Sequence, residues 1–406
     1  MKLRIEKLVH GGAGLARVEG RVVFVPGGAP GDVVEAELQP GRHARARVLR
    51  MLEPGPSRVA APCPIVDRCG GCPLQHVSAP VQAETKRALV EDALVRIGGF
   101  PAGSLELADI VPSPSPFRYR RRARLHRGPR GSWGFASGRK VTPALECLLF
   151  EPALQRLADA VRGADLPGVT DLGLDVSDLG EGSIDLVAER PGPALFKRAG
   201  SLLGPSIRGA TIGARIVGDP VIADAPVDGA RFRTRADLFA QANRAAVPLL
   251  VGEVLAALDG AGHVLELFCG SGTLTLPLLR RASVLAVEGS AASLSLLRKS
   301  AAEAGLDAKL RLVAGDAAQV ARGLDAQFDA VLLDPPRTGA AEAIAPIAAL
   351  RPRRIVYVSC DAPTFARDAK ALAAAGYRLL RVVPLDMFPQ TAHLELVAAF
   401  GKSMRG

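Results

Sequence analysis

From about residue 235 to the end, short strand-like runs alternate with Ala- and Leu-rich stretches of helical length. The runs are His263–Phe268, Ser283–Glu288, Leu310–Val313, Ala330–Leu333, Arg354–Ser359, Leu379–Val383 and His393–Phe400. Strands separated by helices predict a doubly wound α/β sheet, which binds ligands at the carboxyl ends of its strands. The front of the chain has a different rhythm. Leu3–Leu8, Arg21–Val25, Val33–Leu38 and Arg45–Leu52 are short β-rich runs separated by Gly-Gly, Pro-Gly-Gly and Pro-Gly turns. Five such strands suit a small barrel of the oligonucleotide-binding kind over residues 1–57, and a generic barrel without a ligand fits the pattern equally. Between the two, residues 80–98 are helical by pattern, with Val81, Leu89, Ala93 and Leu94 apolar among charged positions. Proline-rich breaks at Glu53–Ser57 and Pro112–Pro116 punctuate the middle. The pattern divides the chain into three units: 1–57, 58–230 and 231–406.

The chain has 406 residues, 48% of them hydrophobic and 23% charged, which excludes a disordered chain, and no fixed repeat period marks a solenoid. The N-terminal Met-Lys-Leu-Arg-Ile-Glu-Lys carries charges where a secretory signal needs apolar residues. No uncharged apolar run approaches the ~20 residues that cross a bilayer. The chain is read as cytoplasmic, without a membrane partner, and as a monomer. Its net charge of +10 is uneven: residues 1–150 hold 23 Lys/Arg against 13 Asp/Glu, the whole of the surplus. A basic front and a neutral back point to a polyanion, with nucleic acid favoured. In Phe117–Arg124, Arg118, Arg120, Arg121, Arg122 and Arg124 interleave with Phe117 and Tyr119, and Trp133 and Phe135 come soon after. Arginines neutralise phosphates and aromatic faces stack unpaired bases, so this segment is expected to contact RNA. An amphipathic strand with its aromatics turned inward is the plainer alternative.

Several further motifs carry chemistry. Leu265–Thr273 runs from a strand through Gly270-Ser-Gly272 into a helix, a turn that admits a ligand close to backbone N–H groups. Glu288, ending the next strand, is placed to hold ribose hydroxyls, and Asp316, closing a third, to meet an adenine edge. Leu276 stands where a nicotinamide-dinucleotide fingerprint has its last glycine, which favours S-adenosylmethionine. Asp334-Pro-Pro-Arg337 comes after a fourth strand as a rigid floor. Arg337 replaces the aromatic that often succeeds such prolines in amino-group methyltransferases, which argues against exocyclic amine chemistry. Val356–Pro363 delivers Cys360 to the carboxyl end of the sheet. Asp361 as N-cap and Pro363 in the first turn start a helix whose dipole is expected to favour the nucleophilic thiolate. By the period of a strand, His393 and Glu395 share a face, where a carboxylate can act as general base. Finally, Cys63, Cys69 and Cys72 lie within ten residues, with Cys147 further along. Four thiolates hold either zinc or a [4Fe–4S] cluster, and the three-plus-one spacing leans toward the cluster.

These residues together resemble the bacterial RNA 5-methyluridine methyltransferases over nearly the whole length. The likeness runs through Val22-Val-Phe-Val-Pro26, Cys69-Gly-Gly-Cys-Pro-Leu-Gln-His76, Phe239-Ala-Gln241-Ala-Asn243, Phe268-Cys-Gly-Ser-Gly272, Asp334-Pro-Pro-Arg337, Val358-Ser-Cys360 and Phe388–Glu395. The resemblance implies a TRAM-type barrel, a central α+β unit and a Rossmann-like class I methyltransferase domain. It implies a [4Fe–4S] cluster on Cys63, Cys69, Cys72 and Cys147. It also implies S-adenosylmethionine contacts from Gln241, Phe268, Thr273, Glu288, Asp316 and Asp334 around Gly270 and Gly272, with Cys360 as nucleophile and Glu395 as base. The family usually has Asn after the cysteine. Asp361 stands there instead, a negative charge expected to oppose thiolate formation. The implied activity is C5 methylation of an unpaired uridine in ribosomal RNA, with transfer RNA as the other substrate class. A cytosine-5 methyltransferase and a non-catalytic RNA-binding iron–sulphur protein are the competing functions.

Overall fold

The computed structural model describes residues 1–41, 44–138, 140–144, 146–225 and 227–402. The first sheet comprises β1 (Lys2–Arg4), β2 (Lys7–Leu8), β3 (Gly14–Val18), β4 (Arg21–Val25), β5 (Val33–Gln39) and β6 (Arg45–Glu53), in the order β1-β5-β6-β4-β3-β2. It has six strands where five were expected. The run expected at Leu3–Leu8 is broken at Ile5, whose N–H donates to Asp32 O, while the Glu6 N–H donates to Leu15 O. The chain thus switches partner from β5 to β3 between consecutive residues. Because β1 and β2 are the two ends of the sheet, that corner closes the barrel. Leu3, Ile5, Ala16, Val23, Val25 and Val34 fill its interior. Buried Asp32 fastens the barrel to the adjoining 55–58 segment by accepting from Gly55 N at 2.8 Å and from the Arg58 guanidinium at 2.6 Å.

The second sheet is built from β7 (Arg122–Arg127), β8 (Trp133–Ser137), β9 (Lys140–Pro143), β10 (Val169–Val176), β11 (Gly182–Ala188), β12 (Ile207–Ile212) and β13 (Arg215–Gly218), in the order β13-β12-β11-β10-β7-β8-β9. The helix Pro152–Arg162 packs on β10. Its Leu154, Leu157, Ala158 and Val161 recur at helical spacing and are buried, and proline occupies its first turn. A two-stranded pair, β14 (Ile222–Ala223) and β15 (Arg233–Thr234), leads on to the last unit.

That unit is the expected doubly wound sheet: β16 (His263–Leu267), β17 (Ser283–Glu288), β18 (Leu310–Ala314), β19 (Ala330–Leu333), β20 (Arg354–Ser359), β21 (Tyr377–Leu385) and β22 (Glu395–Lys402). The order is β18-β17-β16-β19-β20-β22-β21. The first five strands run parallel, and β22 lies antiparallel between β20 and β21. The strand expected from His393 begins at Glu395, because Thr391 and His393 are tied into a turn in which the His393 N–H donates to the Thr391 hydroxyl. Residues 79–111, placed by pattern within 58–230, pack on this unit. Val90, Ala93 and Leu94 of the helix Ala79–Arg96 share a core with Leu265, Tyr357 and Phe365, and Leu107 and Val111 bridge to Val382 and Leu385 at the sheet edge. Polar contacts complete the docking. Lys86, fully buried, donates to Asp386 at 2.6 Å and to Phe388 O at 3.1 Å, and Gln82 exchanges hydrogen bonds with Gln390. The helix therefore braces the 386–391 loop that borders the site.

Candidate active site

The carboxyl ends of β16, β17, β19 and β20 converge with the start of β22. Leu265 and Leu267 bury β16, and the chain then turns through Phe268, which has φ of +63°, a strained value for an aromatic residue. At Gly272, φ is +96° and a Cβ would come within 2.4 Å of Leu297 Cδ1, so the turn admits no side chain there. Glu288 holds the turn from the side: its carboxylate accepts from Gly270 N at 3.0 Å and from Ser290 N at 2.8 Å. Asp316 caps the helix Ala317–Gly323, accepting from Gln319 N at 2.9 Å. Each carboxylate keeps lone pairs for a ligand hydroxyl or amine. Thr273 lies half-buried beside the turn.

A cavity of about 330 Å³ opens beside these strand ends, and Gln241, Arg337, Cys360, Phe388, His393 and Glu395 line it. Cys360 leaves β20, and Asp361 caps the next helix by accepting from Thr364 N at 2.9 Å, as expected. The expected thiolate is not what the surroundings favour. Burial pushes the Cys360 thiol up to about 11, and the Glu395 and Asp334 carboxyls add to this, against the opposing charge of Arg337. The opposition expected from Asp361 is absent from these causes; the carboxylates that matter arrive on β19 and β22. Glu395 is itself buried, and burial, then Asp334, raises it well above the usual carboxylate range. Burial raises Asp334 too. Arg337 stands 3.3 Å from the His393 ring, which burial and that guanidinium hold neutral, down to about 4.

The thiol chemistry is directly measurable. Alkylation of Cys360 by iodoacetamide, read by peptide mass spectrometry, should quicken about tenfold per pH unit up to about pH 10 without a plateau, because the thiolate fraction grows at that rate below the pKa. Glu395→Gln removes the neighbouring negative charge and should move the alkylation midpoint downward. An unmoved midpoint would mean that Glu395 does not contribute to the rise.

The arginine run divides. Arg118 and Arg124 are exposed, and Arg120, Arg122 and Arg124 line the cavity. Arg121 does not face RNA: it is fully buried, paired with Asp175 and Asp224. Arg122 is turned largely to the protein, donating to the carbonyls of Ala236, Leu238 and Ala240. Two of the four aromatics also pack inward: Trp133 is buried, and Tyr119 is buried with its hydroxyl donating to Pro389 O at 3.0 Å. The aromatic face that stays open is Phe239, 71% exposed at the cavity mouth. Composition gave no warning of that, since a lone Phe among alanines reads as core.

The charge role of Arg337, read from sequence only as a replacement for an aromatic, and the buried Glu266 behind the site were not evident from sequence. Arg337 is the only arginine among the groups acting on both Cys360 and Glu395. Glu266 sits in the middle of β16, 2% exposed, with Oε2 lacking a partner, and burial takes it up to about 8. The Ser271 hydroxyl is likewise buried and unpartnered, and Thr275 is the neighbour that opposes the rise at Glu266. A charge inside the apolar run His263–Phe268 was the available signal.

Cys63, Cys69, Cys72 and Cys147 come together about a second, small cavity walled by Ile65, Val66, Phe135 and Leu149. None is in a disulfide. Burial raises Cys69, Cys72 and Cys147, Cys72 to about 11, and each feels the charge of at least one other member of the set. Among the described residues, no three His, Cys, Asp or Glu side chains are grouped as a single metal ion requires.

Comparison with known proteins agrees with this geometry. Residues 218–402 match the tRNA (uracil-5-)-methyltransferase family model, and residues 1–47 match the TRAM domain. The chain is 35% identical to the 23S rRNA (uracil(1939)-C(5))-methyltransferase RlmD of Pectobacterium atrosepticum, over 96% of this chain and 91% of that one. The chain belongs to the RNA uracil-C5 methyltransferase family. RlmD of Alkalilimnicola ehrlichii is 36% identical to this uracil-C5 methyltransferase over 98% and 96% of the two chains. The Pyrococcus abyssi tRNA (uracil-54, C5)-methyltransferase, solved with S-adenosyl-L-homocysteine, matches with a TM-score of 0.76 at 25% identity, covering 98% of this chain and all of that one. The Rossmann-like class I domain and the TRAM front are thus as the motifs implied. No described helix is long and apolar enough to cross a membrane.

Proposed function

We propose that this methyltransferase makes 5-methyluridine in 23S ribosomal RNA, using S-adenosylmethionine. The observation that carries this reading is the convergence of Cys360, Glu395, Gln241 and Arg337 on one cavity at the carboxyl ends of the strands. C5 of uracil is a weak nucleophile until something adds at C6. Cys360 supplies that addition: its sulphur bonds to C6 and the displaced π electrons pass to the C4 carbonyl as an enolate. S-adenosylmethionine, when bound, supplies the methyl group as an electrophile. Glu395 then accepts the C5 proton, the S–C6 bond breaks as the C5–C6 double bond returns, and the thiolate is regenerated.

The electrostatics suit this order. A thiol held near 11 by burial and two carboxyls is protected while the site is idle, and on addition its proton passes to Asp334, which leaves Glu395 to accept the C5 proton. Methyl transfer consumes the enolate's charge, so no anion from the substrate opposes ionised Glu395 at the step that needs a base. Phe239 at the mouth offers a face for an unstacked base, and exposed Arg118 and Arg124 offer charge to the backbone.

Glu395→Gln should stop the reaction after methyl transfer and accumulate a covalent protein–RNA adduct, visible as a band that survives denaturing electrophoresis. Normal turnover by this variant would remove Glu395 as the base. Tritiated methyl transfer to ribosomal RNA from a deletion strain, with mapping of the labelled nucleotide, tests the substrate. Label in 5-methylcytidine would favour the cytosine reading.

The gathering of four thiols about one small cavity supports a [4Fe–4S] cluster there. Cys63, Cys69, Cys72 and Cys147 would hold it as thiolates, and metal binding would overcome the rise that burial imposes on the free thiols.

A further inference from the structure

Within the arginine run, Arg118 faces Glu146, Arg121 faces Asp175 and Asp224, Arg122 reaches Asp175 and Arg124 faces Asp185. Arg120 is the exception: no ion pair joins it to a carboxylate among the described residues, and its Nε is buried without a partner. Its backbone is nonetheless rigidly set. The Arg120 N–H donates to Leu149 O at 2.8 Å, its carbonyl accepts from Glu151 N at 2.9 Å, and it bridges both Phe150 and Asn243. One of those neighbours lies three residues beyond Cys147, the other two beyond Gln241. The side chain lines the cavity of Cys360 and Glu395, while its charge acts on Cys69, Cys72 and Cys147 and on His393. An arginine without a counter-ion thus stands between the thiol cavity and the uridine cavity.

We propose that Arg120 is shared by the two sites: it balances the negative charge of the four-cysteine cluster and takes the RNA phosphate beside the target uridine, so that RNA binding makes the cluster harder to reduce. The proposal rests on the cluster and RNA assignments of the proposed function. A cluster held by four thiolates gains a further negative charge on accepting an electron, and a nearby guanidinium favours that state. A phosphate on the same guanidinium cancels the advantage. Linkage makes the effect reciprocal, so the reduced protein should bind RNA more weakly, by on the order of fivefold.

The test is a potentiometric titration of anaerobic, iron-loaded protein with a low-potential one-electron donor, with and without an RNA hairpin carrying an unpaired uridine. In the wild type the midpoint should move to a more negative potential when RNA is added. Arg120→Ala should begin at a more negative midpoint and show no further movement, and Arg120→Lys should restore part of the response. A full RNA-dependent shift in Arg120→Ala, or none in the wild type, overturns the proposal. Should Arg120→Ala fail to hold iron, Arg120→Gln takes its place, and RNA affinity of the oxidised and reduced wild type decides: weaker binding to the reduced form supports the coupling, equal binding overturns it. Iron content separates the two readings. Wild-type protein with far fewer than about four irons per chain defeats the cluster and this inference together, whereas full iron with no RNA response defeats only the coupling.

Discussion

Replacing Cys360 with serine should lower methyl transfer to ribosomal RNA by on the order of 10⁴-fold or more, the scale expected when a covalent nucleophile is removed. The hydroxyl of serine ionises far less readily than a thiol, and the burial and carboxyl charges that already push Cys360 to about 11 would penalise an alkoxide further. No other thiol lines the cavity: Gln241 is an amide, Arg337 is cationic, the His393 ring is packed against Arg337, and Glu395 is the proposed base. The substitution removes little volume at a half-buried position after β20, so the protein should remain folded and RNA binding unchanged in a gel-shift assay. Tritium counting and nucleoside analysis of the product read the result. Methylation at an undiminished rate would eliminate covalent catalysis by this residue, and with it the reason for the site's construction. Intact RNA binding and no methylation even in the wild type would favour the non-catalytic alternative.

The parts of the fold that were legible in the sequence are those set by local pattern. Ser283–Glu288, Ala330–Leu333 and Arg354–Ser359 match β17, β19 and β20 to the residue, because runs this apolar and this short, bounded by turn residues, have one reading inside an α/β sheet. The strand Gly14–Val18 was missed because its Gly and Ala offer little apolar contrast after the glycines at 11 and 12. The corner at Ile5 was invisible for another reason: a change of pairing partner is a tertiary event, and the residues on either side look alike. The helix Ala79–Arg96 was legible as a helix, yet its lodging against the last unit depends on residues some 300 positions away, Asp386 and Gln390. The active site shows the same division. That Cys360 and Glu395 would lie together was legible from their positions near strand ends and the motif around them. The state of the thiol was not, because the carboxyls that oppose ionisation come from other strands, whereas adjacent residues reveal only the helix N-terminus and Asp361.

The arginine run gives the sharpest case, and it yields a large effect on stability. Arg121 is read from sequence as one of five RNA contacts, but Asp175 and Asp224, 54 and 103 positions away, close around it. Arg244 joins the same network through Asp224 and Glu151, tying the second sheet to the segment that carries Gln241. Arg121→Ala would leave two buried carboxylates short of their shared cation, a change that costs about 3–5 kcal/mol when a buried pair is broken. A loss of that size takes a large part of an ordinary domain's stability, which is about 5–15 kcal/mol. Limited proteolysis should accordingly cut Arg121→Ala within the second sheet under conditions that leave the wild type intact, and its thermal midpoint should fall. Arg121→Lys should recover only part of the loss, since an ammonium cannot reproduce the forked contact to both carboxylates. Arg124→Ala is the counterpart. Its pair with Asp185 is half open to solvent, so the stability cost should stay within about 1 kcal/mol. What Arg124→Ala should lose is RNA affinity, with the slope of log affinity against log salt shallower by about 0.7, the value for one phosphate contact on a single strand. If instead Arg121→Ala stayed stable and lost that same slope, the buried network would not hold Arg121 in solution, and the run would be an RNA surface throughout.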